Sequence, residues 1–209
     1  MKKVYDTINQ YCVEHELLTN GDGIVIGLSG GMDSVCLLQV LAALRNEWRL
    51  RLVCVHVHHG IRGTAADEDA AFAQRLAAKY NISFRLYEMD IPQLAKEQGL
   101  SEEETGRNYR YRCFEEVRKE LNFDKIAVAH HRDDQAETVL WQILRGSGLR
   151  GVCGMRAGRA NIIRPLLCLD RQQIEQIVRE NGDGWREDAT NREEKYTRNK
   201  IRNRVFPYI

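Results

Sequence analysis

Short runs of β-branched residues alternate with longer stretches of helical spacing along most of this chain, and that alternation leaves few folds open. Gly23-Ile-Val-Ile-Gly-Leu28 is too short for a buried helix and ends in a glycine turn, so it reads as a strand. From Ser34 to Leu44 the apolar residues Val35, Leu37, Leu38, Leu41 and Leu44 keep the period of a helix. Leu50–Val57 reads as a second strand, and a Gly-bearing loop leads on to an Ala-rich amphipathic helix over about residues 65–80. Ser83–Tyr87 and Lys125–Ala129 are further strand candidates, with helices predicted over 101–121, 133–145 and 170–181. Ser101-Glu-Glu-Glu104 has the spacing of a capping box. Strand and helix in strict turn predict an α/β fold, a parallel sheet covered by helices on both faces.

A chain of 209 residues suits one domain, 1–209, and buries roughly 70% of its unfolded surface without cross-links. Its 43% hydrophobic content excludes a disordered chain. Gln39 interrupts the longest apolar stretch, Ser34–Leu44, which falls short of the roughly 18 residues a bilayer span needs. No apolar run follows Met-Lys-Lys-Val-Tyr-Asp at the start, so neither a secretory signal nor a membrane partner is expected, and the location expected is cytoplasmic. The cysteines form no C-x-x-C pair, and Cys36 and Cys54 lie inside apolar runs, which predicts buried reduced thiols.

Ligands of parallel sheets sit beyond the carboxyl ends of the strands. Three polar clusters follow predicted strands: Ser29–Ser34, His56–Gly63 and His130–Glu137. In Ser29-Gly-Gly-Met-Asp-Ser34, Gly30 and Gly31 allow positive φ and close approach, so successive N–H groups can face an anion. The helix that follows adds its positive end, and Asp33 can orient a Mg²⁺. The plainer reading is a capped strand-to-helix turn. S-G-G-x-D-S in this setting resembles the pyrophosphate loop of the N-type ATP pyrophosphatases (the PP-loop family). The resemblance implies a Rossmann-like, adenine nucleotide α-hydrolase-like sheet and cleavage of ATP between its α and β phosphates. It places Ser29, Gly30, Gly31, Met32, Asp33 and Ser34 at the ATP, with Mg²⁺ at Asp33.

Further motifs narrow the resemblance: Glu104-Thr-Gly-Arg-Asn-Tyr-Arg-Tyr111, Ala129-His-His-Arg-Asp-Asp-Gln-Ala-Glu-Thr138, Leu144-Arg-Gly-Ser-Gly-Leu-Arg-Gly151, Ile163-Arg-Pro-Leu-Leu167, Glu187-Asp-Ala-Thr-Asn191 and Tyr196-Thr-Arg-Asn-Lys-Ile-Arg202. Together they are similar to the tRNA(Ile)-lysidine synthase family from about residue 22 onward. Members of that family, a class of carbon–nitrogen ligases, modify the wobble cytidine of a CAU-anticodon isoleucine tRNA. The resemblance thus implies that cytidine O2 attacks the α-phosphate and releases pyrophosphate. The ε-amine of free L-lysine then attacks C2 and expels AMP. Gly106 stands where the family usually has Ala.

Asp134 and Glu137 lie three apart on a predicted helix, so both carboxylates share a face and could hold an ammonium group and take its proton; a solvated acidic first turn is the alternative. Arg107 suits charge developing on phosphate, or else belongs to a basic helix face. His56 and His130 either line a nucleotide pocket or pack at strand ends. Without the resemblance, His and Asp at strand ends would suggest a metal-dependent hydrolase, but no H-E-x-x-H occurs.

The formal net charge of +1 hides strong local bias. Residues 143–164 hold Arg145, Arg150, Arg156, Arg159 and Arg164, several glycines and no acid, and 195–209 is again basic and acid-free. Segments 143–164 and 186–209 are expected to contact tRNA, with Arg145, Arg150, Arg156, Arg198 and Arg202 as phosphate contacts. The family commonly continues with further C-terminal domains, so the chain is expected to be its catalytic N-terminal domain, with a homodimer left open. A tRNA thiolase on the same fold, or a fragment retaining only ATP and tRNA binding, are the alternatives.

Overall fold

Residues 2–58, 64–148 and 152–186 are described in a computed structural model. The strands are β1 (Gly23–Gly27), β2 (Arg51–His58), β3 (Ser83–Glu88), β4 (Lys125–Ala127), β5 (Gly158–Arg159) and β6 (Ile162–Ile163). They form one sheet in the order β3-β2-β1-β4-β6-β5. The first five in that order run parallel, as expected, and β5 adds an antiparallel hairpin with β6 at the edge. β1 is central, with Ile26 paired to Cys54 on one side and Ala127 on the other. From β1 the chain winds outward through β2 and β3, then returns to build β4, β6 and β5 on the opposite side, so the strand order reverses between β1 and β4.

Helices cover both faces because successive β1 side chains point to opposite sides. Ile24 and Ile26 join a core with Ile8 and Cys12 of α1 (Lys2–Glu14), Leu37, Leu38 and Leu41 of α2 (Met32–Leu44), and Ala73 and Leu76 of α3 (Thr64–Lys79). Ile174, Ile177 and Val178 of the last helix pack there too. Val25, Val53, Val55 and Ile126 face the other way, onto Ile91 of α4 (Ile91–Gln98) and Tyr109, Cys113, Phe114 and Val117 of α5 (Glu102–Glu120). Ser101 caps α5 by accepting from the Glu104 amide at 3.2 Å, but the reciprocal half of the expected capping box is not formed. α6 (Arg132–Leu144) follows β4, and α7 (Arg171–Glu180), the last helix among the described residues, follows a 3₁₀ turn at Pro165–Cys168. Val128 and Ala129, expected in a strand, lie beyond β4 and lead into α6.

The amino ends of β1 and β4 are tied by charge. Asp22 Oδ2 accepts from Thr19 N and Lys125 Nζ at 2.7 Å each, and Asp124 Oδ2 accepts from Gly23 N at 2.7 Å while facing Arg51. Cys12, Cys36, Cys54 and Cys113 are buried free thiols, whereas Cys168 is half-buried and Cys153 exposed. Burial pushes Cys12 and Cys54 up to about 12.

Candidate active site at the reversal of the sheet

The loop leaving β1 and the turn leaving β4 flank the point where strand order reverses, where the splayed chains open a crevice. In the first, Gly30 adopts φ +89°, which a side chain would disfavour, and Gly31 is the N-cap of α2. The amides of Ser29 and Gly30 converge on Ser34 Oγ at 3.2 and 3.1 Å, and Ser34 donates its own hydroxyl hydrogen to Gly31 O at 2.8 Å. Ser34 Oγ is thus the internal acceptor of both loop amides. The Met32 side chain is buried in the apolar core, which leaves its backbone as the part facing the loop. Asp33, in the first turn of α2, faces the crevice.

His131 joins the two turns. It is 1% exposed, caps α6 by accepting the Asp133 amide at Nδ1, and thus carries its proton on Nε2 when neutral. That Nε2 lies 3.7 Å from Asp33 Oδ2 and 3.5 Å from Asp134 Oδ2. Asp134 closes the capping box by accepting the His131 amide at 3.1 Å. Part of its charge is thereby committed to the helix end, as the alternative reading of the acidic first turn required. Glu137, one turn on, is 3% exposed, and α6 buries no other side chain. The apolar residues of α6, Ala136, Val139, Leu140 and Trp141 among them, are at most half-buried, so the side chain this helix buries most deeply is a carboxylate. Sequence pattern alone did not single out His131; its cue was the position just before the helix, where a cap belongs.

His56, near the end of β2, is 5% exposed and donates Nδ1–H to Leu28 O at 2.8 Å. Burial holds its pKa below the ordinary histidine value. Arg107 is exposed and lies 5.3 Å over the Tyr111 ring. Arg164, at the end of β6, is 8% exposed; it donates to His130 Nδ1 at 3.3 Å and Arg156 O at 2.9 Å. Burial, with the like charges of Arg107 and Arg159, lowers its pKa. Arg145 stacks on Trp141 at 4.5 Å and Arg156 is exposed. Arg150, Arg198 and Arg202 lie outside the described residues. Among the described residues no three His, Cys, Asp or Glu side chains converge as a metal-ligand set.

Gln135 holds the arginine-rich segment onto α6. Its amide mimics a strand, accepting from Met155 N at 2.6 Å and donating to Met155 O at 3.1 Å. Gly154 makes this possible, since a Cβ there would lie 2.6 Å from Gln135 Nε2.

A PP-loop domain model matches residues 2–209, and the chain belongs to that family. Within it, the chain is 48% identical over its full length to a tRNA(Ile)-lysidine synthase of Caldanaerobacter subterraneus subsp. tengcongensis, covering 44% of that protein. It is 42% identical over 99% of its length to a tRNA(Ile)-lysidine synthase of Clostridium tetani, again covering 44% of the relative. The chain thus spans less than half the length of the curated relatives it matches. Among solved structures it resembles the U34-tRNA thiolase NcsA of Methanococcus maripaludis at TM-score 0.70 and 20% identity, covering 88% of this chain and 65% of that one. An NH3-dependent NAD synthetase of Campylobacter jejuni matches at TM-score 0.57 and 17% identity, covering 87% and 73%. At those identities the likeness is one of fold.

Proposed function

We propose that this chain provides the catalytic part of a tRNA(Ile)-lysidine synthase, which uses ATP to join free L-lysine to C2 of the wobble cytidine in a CAU anticodon. The observation that carries the reading is the meeting of the PP loop with the acid-bearing first turns of α6 at one crevice. The lysidine synthase relatives align with both.

In this reading the Ser29–Ser34 loop takes the ATP phosphates, whose oxygens compete with Ser34 Oγ for the amides of Ser29 and Gly30. Asp33 is the side chain placed to hold Mg²⁺, which would neutralise phosphate charge. Cytidine O2 attacks the α-phosphate, the α–β bridging bond breaks, and pyrophosphate leaves while Arg107 offsets the growing negative charge. Asp134 and Glu137 hold the lysine ammonium. One carboxylate takes its proton, so that the amine lone pair can attack C2 and AMP departs with the O2 oxygen. Arg145 and Arg156 lie on the surface read as contacting tRNA, together with Arg150, Arg198 and Arg202.

A thiolase reading is favoured by the likeness to NcsA. Against it, the sequence has no C-x-x-C pair, and Cys12, Cys36, Cys54 and Cys113 are sealed in the core.

The test is pyrophosphate release from ATP and Mg²⁺ with and without unmodified tRNA(Ile), followed by AMP release on adding lysine. Both are expected in that order, and Glu137→Gln is expected to raise the lysine KM by at least tenfold while moving the ATP KM little. AMP release that depends on a sulfur donor and ignores lysine would overturn the reading in favour of the thiolase.

A further inference from the structure

The stretch that follows α7 returns across the sheet to the phosphate loop and is held there at several points. Asn181 donates to Gln39 Oε1 and Tyr5 OH at 3.1 and 3.0 Å. Asp183, whose side chain is 4% exposed, accepts from Gln39, Lys79 and Tyr80. Trp185 packs on the core beneath Arg179. These anchors deliver Arg186 to Gly30: its amide donates to Gly30 O at 2.9 Å, and its Cγ lies 3.8 Å from where a Gly30 Cβ would stand.

The backbone of Asp69, on α3, closes the other side of Gly30, with its carbonyl oxygen 3.7 Å from the same point. The Glu68 and Asp69 carboxylates are an unfavourable pair to set beside a loop that takes phosphates, since like charges weaken anion binding. The Arg186 guanidinium answers both, with Nε 2.7 Å from Asp69 Oδ1 and Nη2 2.7 Å from Glu68 Oε2.

We infer that Arg186 is a positioning residue of the nucleotide site, which masks the Glu68–Asp69 charge and fixes the Gly30 peptide so that the loop accepts a polyphosphate. The inference rests on the reading of Ser29–Ser34 as an ATP loop.

Titration calorimetry with ATP and Mg²⁺, and separately with adenosine, tests it on four proteins: the unaltered chain, Arg186→Ala, Arg186→Lys, and Arg186→Ala combined with Glu68→Gln and Asp69→Asn. Arg186→Ala is expected to weaken ATP on the order of tenfold and adenosine hardly at all, because the unmasked carboxylates act on phosphate charge. Removing the two carboxylates in that background is expected to restore most of the ATP affinity, and Arg186→Lys to retain more than Arg186→Ala. A merely structural role predicts no such rescue and equal loss for both ligands, and that result overturns the inference. So does an Arg186→Ala protein that binds ATP like the unaltered chain. An unaltered chain that binds neither ATP nor inorganic pyrophosphate overturns the reading of the loop itself, and this inference with it.

Discussion

His56 shows how a single buried side chain sets a pH limit on the fold. Folded, its ring donates Nδ1–H to Leu28 O and is 5% exposed, and burial lowers its pKa. Unfolded, it titrates near the ordinary value of about 6.5. Below that pH the unfolded chain binds a proton that the folded chain refuses, so stability falls as pH falls and is fully recovered above it. Thermal melts of the unaltered protein and of His56→Gln are expected to converge between about pH 7.5 and pH 5, because only the former carries this penalty. Parallel curves would show that His56 is not the group responsible. At this scale the sequence was informative about residue type and less so about use. Asp33 and Asp134 both lie within 3.7 Å of His131, and Glu137 is buried one turn further along α6. The Met32 side chain turns into the core, because the first residue of α2 faces the sheet. Arg186 was read only as the first residue of a basic tail. Its partner Asp69 lies 117 residues away, and no local pattern encodes such a contact.

Elements with a clear period were legible, and those without one were not. β1 to β4 and α2, α3, α5, α6 and α7 begin and end within a few residues of their predicted bounds, because apolar spacing and turn residues mark them. The β5–β6 hairpin was missed: two residues per strand carry no alternation, and the arginines and glycines around them look like loop. α1 and α4 were also unanticipated, both being rich in polar residues and α4 only eight residues long. The Gln135–Met155 bridge gives the segment before β5 its shape, and Gly154 is its weak point. With φ +64° and no room for a Cβ, Gly154→Ala is expected to cost about 1–2 kcal/mol and to speed amide exchange of residues 153–158. Adding Gln135→Ala would relieve the clash and recover part of the stability without restoring protection. Unchanged exchange in Gly154→Ala would refute the bridge as the element that orders this segment.

The molecule as a whole keeps cohesion and chemistry at opposite ends of one sheet. The amino ends of β1 and β4 are locked by Asp22 with Lys125 and Thr19, and by Asp124 with Gly23. The carboxyl ends carry the charged crevice. Asp22→Ala strands a Lys125 side chain that is 18% exposed and is expected to lower stability by about 2 kcal/mol with the nucleotide site intact. Glu137→Gln keeps the shape and hydrogen-bonding capacity of the buried side chain and is expected to cost less stability than Asp22→Ala while harming lysine use. Denaturant melts on the two proteins, set beside their ATP affinities, check the division; a loss of stability in Glu137→Gln as large as that in Asp22→Ala would deny it. α6 stands apart from this economy. It carries half of the proposed site yet contributes no apolar side chain to the two core clusters, and polar bonds hold it: its caps, the Gln135 bridge, Arg132 to Asp170 and Leu169 O, and the Arg171 amide to Asp133. Amides of such a helix are expected to exchange with solvent sooner than those of α2, which is buried along most of its length beside the phosphate loop.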